Sequence, residues 1–367
     1  MANWSDVQMS MQIENDSFST AKDTPFVSII VLNHNGKRFL YRCLSSVLQI
    51  NYPSECYEVI LVDNGSSDNS VEFMKRKFPK VKILTLNRNY GFATGNNKGT
   101  KLAKGDIFVF LNNDTFVDKN WLKQLIWVMT TEQVDICGSQ IVFMRQPTAV
   151  QYAGGDLHLI GGAIFVPFHK GEPSKRYYLV GSVCGASFAI RRPVFEDLGG
   201  FDDDFFLYAD EGDLCLRALI YGYRIAYSPY SIVCHYAGGS GPEKCNSNLQ
   251  SNDMAYSRLV SPFTIYYGNR NSIALLMKSF QTRNLLAGLT FSYLYLFLQL
   301  ILLLRNKRGE VKLLIKAGAW PLWNLKTIWK KRVIIQRRRK VSDNWLIRNE
   351  LLLPIGDTLK LVMQLRR

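Results

Sequence analysis

The chain has 367 residues, of which 47% are apolar, and its formal net charge is +15. This length and composition can bury a substantial core and suit two or three structural units. The charge is unevenly placed, because residues 270–367 carry 20 Lys or Arg against 4 Asp or Glu, whereas residues 1–269 are close to neutral. A nucleic-acid-binding core would carry its own basic face, so this distribution argues against one and favours a basic appendage that meets an acidic surface.

The cysteines and the N-terminal segment indicate a cytoplasmic protein. The seven cysteines are odd in number and scattered, and no pair has the C-x-x-C spacing of a zinc site. We therefore expect reduced, structural thiols. Residues 1–24 are polar and lack the apolar run of a signal peptide, which predicts a flexible lead-in.

From residue 26 onward, apolar segments alternate with segments of helical periodicity. Strands are predicted at 26–32, 57–62, 81–86 and 107–111. Helices are predicted around 39–48 and at 70–77, and a polar loop at 87–97 leads into a short helix. This alternation predicts right-handed crossovers and an α/β fold with a mostly parallel sheet. Residues 135–200 are rich in glycine and predict mixed strands and turns.

Polar clusters follow three of the predicted strands, namely 33–35, 63–64 and 112–114. Because the carboxyl ends of parallel strands share one edge of a sheet, these clusters predict a ligand pocket there. Asp114 would offer a hard divalent cation the oxygen ligand it needs to hold a diphosphate; an Asx-rich turn is the alternative. Neither GxGxxG nor GxxxxGK[ST] occurs, which argues against dinucleotide and P-loop folds.

A second acidic cluster, Asp210-Glu211 with Asp213, lies at the predicted start of a helix. Carboxylates at this position interact favourably with the helix dipole, which is the purely structural interpretation. Three acids in four residues, directly after an aromatic run, exceed what capping requires. The cluster therefore predicts a general base.

Together these motifs resemble family 2 glycosyltransferases, in particular the rhamnosyltransferase-like branch. The matching segments occur in family order at 27–35, 61–66, 89–93 with 96–99, 110–114, 199–202, 210–217 and at His235 with Ser240. The resemblance implies a GT-A fold, that is, a Rossmann-like, mostly parallel sheet with helices on both faces. The match covers about residues 25–270, which we take as the catalytic domain. The excess of Lys and Arg and the apolar pattern beyond it predict a basic, helical, membrane-associating region at 271–367.

The resemblance further implies an inverting transfer of rhamnose or a similar hexose from a nucleoside diphosphate sugar to a lipid-linked or cell-surface glycan. Donors linked to dTDP and to UDP both fit. The residues expected to bind the nucleotide sugar are Asn33, Asn35, Asp63, Asn89, Gly91, Asn96, Asn112 and Asn113.

The segment Asn112-Asn113-Asp114 takes the place of the family's DxD motif. Asp114 would then hold Mg²⁺ or Mn²⁺, and His235 would complete the metal shell; a surface histidine is the alternative for the latter. Asn112 stands where the family has its first acid, and a neutral amide gives a weaker cation site.

By position Glu211 is expected to be the base, although the family usually has the order Glu-Asp and this chain has Asp210-Glu211. Asp210 would substitute for it or orient the loop. Asp213 and Arg217 are expected to form a surface or supporting pair. The exchanged acids and Asn112 leave one alternative function, a non-catalytic scaffold that binds sugar nucleotides or glycans.

Residues 285–304 carry no formal charge and are long enough to cross a bilayer. The next segment, 305–340, holds 13 Lys or Arg and one acid, a composition that stays on the cytoplasmic side. Sugar-nucleotide chemistry requires residues 25–270 on that side too, which a single crossing would not allow. We therefore predict peripheral or re-entrant association of residues 285–340 with an anionic membrane at its cytoplasmic face, and no nucleic-acid partner. A helix packed on the catalytic domain is the alternative.

Overall fold

The computed structural model describes residues 24–158, 163–165, 176–236, 261–306 and 308–357. The chain divides into two compact units. Unit 1 comprises Met1–Gly155, Phe165–Phe201 and Tyr223–Gly241, and unit 2 comprises Asp156–Ile164, Asp202–Gly222 and Pro242–Arg367. Segment 202–222 thus groups with the C-terminal residues. The functional boundary at residue 270 stays a prediction, and the lead-in lies almost entirely outside the described residues.

The strands in chain order are β1 (Val27–Asn33), β2 (Tyr57–Asp63), β3 (Lys82–Thr85), β4 (Ile107–Asn112), β5 (Thr115–Val117), β6 (Ile136–Phe143), β7 (Gln146–Tyr152), β8 (Gly155–His158), β9 (Ala163–Phe165), β10 (Tyr178–Leu179), β11 (Ser187–Arg191), β12 (Ile225–His235) and β13 (Leu352–Leu353). The α-helices are α1 (Lys37–Val47), α2 (Ser70–Lys77), α3 (Gly91–Thr100), α4 (Trp121–Thr131), α5 (Arg192–Asp197), α6 (Asp210–Tyr221), α7 (Asn269–Ser279), α8 (Thr282–Asn306), α9 (Val311–Trp323), α10 (Leu325–Arg338) and α11 (Asp343–Arg348). A π-helical turn at Thr264–Gly268 precedes α7.

Unit 1 is built on a ten-stranded mixed sheet with the order β10-β12-β6-β11-β4-β1-β2-β3, in which β5 pairs with β12 and β7 with β6. Strands β4, β1, β2 and β3 are parallel, as the sequence predicts. The second half is mixed, because β11 runs antiparallel to both β4 and β6. In register, Asn33 lies opposite Asp63 and Leu32 opposite Asn112, so the polar clusters share one edge.

Helix α3 corrects one prediction from the sequence. Residues 91–97 were expected to lie in a loop, yet they form most of this helix. A Cβ at Gly95 would lie 2.7 Å from Leu32 Cδ1, and one at Gly99 would lie 2.7 Å from Val62 Cγ2. The two glycines therefore let α3 approach the sheet closely, and this tertiary packing outweighs the low helix propensity of the segment.

The buried cysteines of unit 1 suit the structural role that the sequence predicts. Cys43 lies on the buried face of α1, and Cys234 lies in β12. Burial raises the pKa of both thiols to about 12. Both are therefore neutral and poorly nucleophilic at physiological pH.

Unit 2 consists mainly of helices and a small sheet of order β13-β8-β9. Its apolar cluster includes Ile265, Ile273, Leu296, Leu303 and Leu314. Among the described residues, one helix is long and apolar enough to cross a membrane: Thr282–Arg305, with a mean hydropathy of 1.9 in its most apolar window. Only 17% of that window is buried, so most of this helix is exposed, although Leu296 and Leu303 pack in the apolar cluster.

Candidate active site

The first part of the site is a hydrogen-bonded chain of side chains at the carboxyl edge of the unit 1 sheet. Asn33 Nδ2 donates to Asp63 Oδ1 at 2.9 Å, and Asn33 Oδ1 accepts from Asn113 Nδ2 at 2.6 Å. The other oxygen of Asp63 accepts from the Ser66 backbone N–H at 3.0 Å. A Cβ at Gly36 would overlap the Asn113 amide nitrogen, so a larger residue at this position would displace the Asn113 amide from Asn33. The structure thus joins the polar ends of β1, β2 and β4.

Asn64 belongs to the polar cluster at 63–64, but it is not among the residues that the sequence predicts to bind the nucleotide sugar. Its Oδ1 accepts from the Tyr90 backbone N–H at 2.9 Å, and its Nδ2 donates to Asn89 Oδ1 and to the Gly91 carbonyl, both at 3.0 Å. Asn89 Oδ1 also accepts from the Gly91 N–H at 2.8 Å. Asn89 and Gly91 therefore shape the loop that begins α3. The polar pair at the end of β2 was the signal that could have identified Asn64.

Two other predicted nucleotide residues differ in their surroundings. Asn35 is exposed, adopts a left-handed backbone with φ of 51°, and accepts from the Ser67 N–H at 2.8 Å. Asn96 is buried inside unit 1, where its Nδ2 donates to the Phe92 carbonyl at 3.1 Å. Asn96 Oδ1 has no hydrogen-bond partner within the part of the chain that the structure describes. Contact of Asn96 with a nucleotide stays a prediction.

Asp114 and His235 form the second part of the site. Asp114 follows β4, and His235 ends β12, which pairs with β5 so that His235 lies opposite Thr115. His235 Nε2 lies 3.2 Å from Asp114 Oδ1, and both side chains are largely buried. His235 Nδ1 lies 3.1 Å from Gln151 Oε1. We assign the ring proton to Nδ1, because a carbonyl oxygen can only accept, and this directs the Nε2 lone pair toward Asp114.

This geometry suits a divalent cation. The contact of 3.2 Å between two acceptors, His235 Nε2 and Asp114 Oδ1, is favourable when a proton or a cation lies between them. A histidine that ligates a metal generally donates its other ring N–H to an oxygen, as His235 does to Gln151. No three His, Cys, Asp or Glu side chains in the described ranges form a complete metal site. The residues therefore fit an ion whose remaining ligands are substrate phosphates and water.

The acidic cluster belongs to unit 2 and begins α6. Asp210 is buried, and its Oδ1 has no hydrogen-bond partner among the described residues, whereas Glu211 is partly exposed. Burial, and then the negative charge of Glu211, raise the pKa of Asp210 well above its ordinary value, and Asp213 and Asp202 raise it further. Asp210 is thus disposed to hold a proton, while Glu211 remains accessible.

Asp213 and Arg217 form a buried pair, which decides between the two roles that the sequence left open. Arg217 Nε donates to Asp213 Oδ2 at 2.9 Å, with side-chain exposures of 7% and 0%. Lys278 from α7 lies 2.8 Å from the other oxygen of Asp213. This is therefore a supporting pair inside unit 2 and not a surface pair.

The raised pKa of Asp210 predicts how stability depends on pH. The folded protein holds this proton more tightly than the unfolded chain, so the stabilisation is complete below the ordinary pKa of about 3.9 and is lost as the pH rises through the folded-state pKa. Asp210→Asn removes this loss of stability at higher pH. We expect it to raise the unfolding temperature by about 2–4 °C at neutral pH and to flatten its pH dependence in a thermal-unfolding series.

Asp213→Asn is the matched control, because it makes the same chemical change three residues away. It removes the partner of Arg217 and Lys278, and we expect it to lower the unfolding temperature. Equal destabilisation by both variants would contradict the protonated state of Asp210.

Two predicted parts of the site thus fall in different units. Asn33, Asp63, Asn113, Asp114 and His235 lie in unit 1, and Asp210 and Glu211 lie in unit 2. The contact of both parts with one activated sugar stays a prediction.

The parallel half-sheet with a polar carboxyl edge, continued by antiparallel strands, defines an α/β protein of the GT-A class. A mannosyltransferase from Pyrobaculum calidifontis, solved with GDP-Man and Mn²⁺, shares this fold with a TM-score of 0.51 at 17% identity, over 86% of each chain. Residues 28–199, just under half of the chain, match the family model described as glycosyl transferase family 2. The predicted resemblance to this family and the predicted fold class are confirmed.

Two sequence relatives each match about three fifths of this chain. The O-antigen biosynthesis protein RfbC of Myxococcus xanthus is 30% identical over 60% of this chain. The dTDP-rhamnosyl transferase RfbF of Shigella flexneri is 26% identical over 61% of this chain. The chain spans 18% of the length of RfbC and 72% of the length of RfbF.

Proposed function

We propose that this protein is an inverting glycosyltransferase that moves a hexose from a nucleoside diphosphate sugar to a hydroxyl of a glycan or lipid-linked acceptor. The observation that carries the proposal is the joined polar edge of unit 1, where Asn33 links Asp63 to Asn113 beside the Asp114–His235 pair. This edge lies within the segment that matches family 2, apart from His235. The similarity to RfbF supports rhamnose as the sugar and dTDP as the carrier.

Each part of the edge has a distinct role in this proposal. Asp63 is held by two donors, which orients its carboxylate toward the base or ribose of the nucleotide. Asn112 is the last residue of β4 and Asn113 follows it, and both offer neutral amides to the ribose and phosphates. Asp114 and His235 would hold the divalent cation, which neutralises charge on the leaving diphosphate when bound. An imidazole ligand favours Mn²⁺ over Mg²⁺, because Mg²⁺ takes oxygen ligands.

Glu211 takes the base role in this proposal, because a base must be within hydrogen-bond reach of the acceptor hydroxyl. Its partly exposed position permits that approach, whereas Asp210 is buried. Asp210 then has an orienting role at the first turn of α6.

A calorimetric panel tests the proposal on the full chain. We expect one nucleoside diphosphate sugar among the dTDP-, UDP- and GDP-linked donors to bind more tightly with Mn²⁺ than without it, and to be hydrolysed or transferred slowly. Tight binding without any turnover, with acceptor glycans present, would favour the alternative, a non-catalytic scaffold. Absence of binding to all donors would contradict both functions.

We further propose that unit 2 attaches to the cytoplasmic face of an anionic membrane through residues 285–340. Along α8, apolar side chains such as Leu286 and Phe297 are exposed, and Trp323 and Trp329 are exposed after it. Exposed tryptophans suit the headgroup zone, and basic residues in 305–340 would be attracted by about 1 kcal/mol each near the surface.

Vesicle co-sedimentation tests this attachment. We expect binding to vesicles with anionic lipid, weaker binding to zwitterionic vesicles, and a loss of about tenfold or more in the double variant Trp323→Ala/Trp329→Ala, since each indole buries a large apolar area. Trp127→Ala is not a useful comparison because Trp127 packs on the unit 1 core. Tyr41→Ala, at an exposed aromatic residue of α1, is the control. Equal binding to both kinds of vesicle would contradict a role for the basic residues.

A further inference from the structure

Helix α7 of the C-terminal region holds the backbone from which the acidic cluster starts. We propose that Asn271, on this helix, is a positioning residue that sets the backbone of residues 207–209 and thereby the orientation of Glu211. This inference rests on the proposed function. It also gives the C-terminal region a role in catalysis in addition to membrane attachment.

The segment before α6 has an unfavourable backbone conformation. Tyr208 and Ala209 both lie in the left-handed region, with φ of 71° and 62°. Such conformations are unfavourable in non-glycine residues and persist only where surrounding structure enforces them. Glu211 follows two residues later, so its direction depends on this turn.

Asn271 supplies the contacts that hold the turn. Its Nδ2 donates to the Leu207 carbonyl at 3.0 Å and to the Tyr208 carbonyl at 2.8 Å. The side chain is fully buried, so water does not replace these hydrogen bonds. The Leu207 carbonyl directly precedes the strained residues, and the Tyr208 carbonyl belongs to the first of them. The left-handed turn requires both carbonyls to keep this orientation.

Arg270 fixes the orientation of the Asn271 amide. Arg270 Nε donates to Asn271 Oδ1 at 2.8 Å, which leaves only Nδ2 to face the two carbonyls. Arg270 Nη2 also donates to the Asp204 carbonyl at 2.6 Å, and its guanidinium lies 4.4 Å from the centre of the Trp320 ring. The donor group is therefore preorganised and not selected from several rotamers.

Lys278 anchors the other end of α7 to the same part of unit 2. Its ammonium forms ion pairs with Asp202, before the turn, and with Asp213, on α6. Lys278 is almost completely buried, and these two carboxylates neutralise it. Helix α7 is thus bound on both sides of the strained turn, so a displacement of Asn271 relative to α6 is opposed.

Steady-state kinetics on the full chain test the role of Asn271. We expect Asn271→Ala to lower kcat for sugar transfer by about 10–100-fold, since a displacement of about 1 Å from productive geometry costs up to about 100-fold. The donor Kd should stay within about twofold, because the hydrogen bonds that the structure describes for the Asn271 side chain all lie within unit 2. A purely structural defect would lower the folded fraction without changing kcat per folded molecule.

Three further variants keep the test decisive. Asn269→Ala is the matched control, since Asn269 lies on the same helix but donates to the Ile265 carbonyl and to Gln299 Oε1; kcat should not change. Asn271→Asp keeps the acceptor for Arg270 but loses the donor, and kcat should fall as in the alanine variant. Asn271→Ala/Ala209→Gly should recover part of the lost kcat, because glycine adopts a positive φ without strain.

The outcomes separate this inference from the proposed function. If the wild-type protein transfers no sugar, the proposed function fails. Two results with an active wild type would show that the positioning role of Asn271 is wrong while leaving the proposed function unaffected. The first is that Asn271→Asp retains kcat within about twofold of the wild type. The second is that Asn271→Ala/Ala209→Gly folds but recovers none of the lost kcat.

Discussion

Glu211→Gln is expected to lower kcat for sugar transfer by about 10²–10⁴-fold, the range that a positioned general base supplies. The amide is isosteric with the carboxylate but does not accept the proton of the acceptor hydroxyl. Donor affinity should remain within about twofold of the wild-type value, because nucleotide recognition is assigned to the edge of unit 1. Initial rates at saturating donor and acceptor, together with calorimetric donor binding, measure both quantities.

Glu196→Gln is the control for this prediction, since Glu196 is a surface acid of α5 whose ion-pair partner among the described residues is Arg192. Its rate should match that of the wild type. If Glu211→Gln keeps half of the wild-type kcat and Asp210→Asn abolishes activity, the base is Asp210. The exchanged order of the two acids would then mean that Asp210 substitutes for Glu211, the possibility that the resemblance leaves open.

Asp114→Asn is expected to abolish the gain in donor affinity that Mn²⁺ provides. With Mn²⁺ present, the donor affinity should therefore fall by about 100-fold or more. This exceeds the roughly 10–100-fold that loss of a residue supporting a metal ligand costs, because the ligand itself is removed. The neutral amide keeps the size of the side chain and gives up the charge that faces His235 at 3.2 Å. Titrations of the donor with and without Mn²⁺ measure the difference directly.

Asp118→Asn is the matched control for Asp114→Asn. Asp118 lies four residues further along the chain, where its side chain accepts from the Asn120 N–H at 2.8 Å. We expect its Mn²⁺ dependence to equal that of the wild type. An Asp114→Asn protein whose donor affinity still rises with Mn²⁺ would show that the ion binds elsewhere.

Much of unit 1 follows directly from the sequence. The apolar runs of β1, β2 and β4 are buried almost completely, and each ends in polar residues, so burial and pattern agree. The predicted boundaries of these strands differ from the observed ones by at most one residue, and α2 was predicted over its observed range. The edge residues could be identified because strand polarity alone determines which ends of parallel strands meet.

Helix α3 and the orientation of His235 could not be obtained in this way. Helix α3 depends on the space that Gly95 and Gly99 leave against the sheet, and local propensity does not report that space. The orientation of His235 depends on Gln151, which is 84 residues away in the chain and carries no motif of its own.

The sequence by itself determined the resemblance to family 2, the parallel half of the sheet and the identity of the polar edge, because these depend on strand pattern and on residues close together in the chain. Tertiary structure decided the surroundings of the acidic cluster. Basic residues that the sequence assigns to a membrane appendage, above all Lys278, form buried ion pairs with Asp202 and Asp213 instead. These partners are more than 60 residues apart in the chain, and only folding brings such charges together.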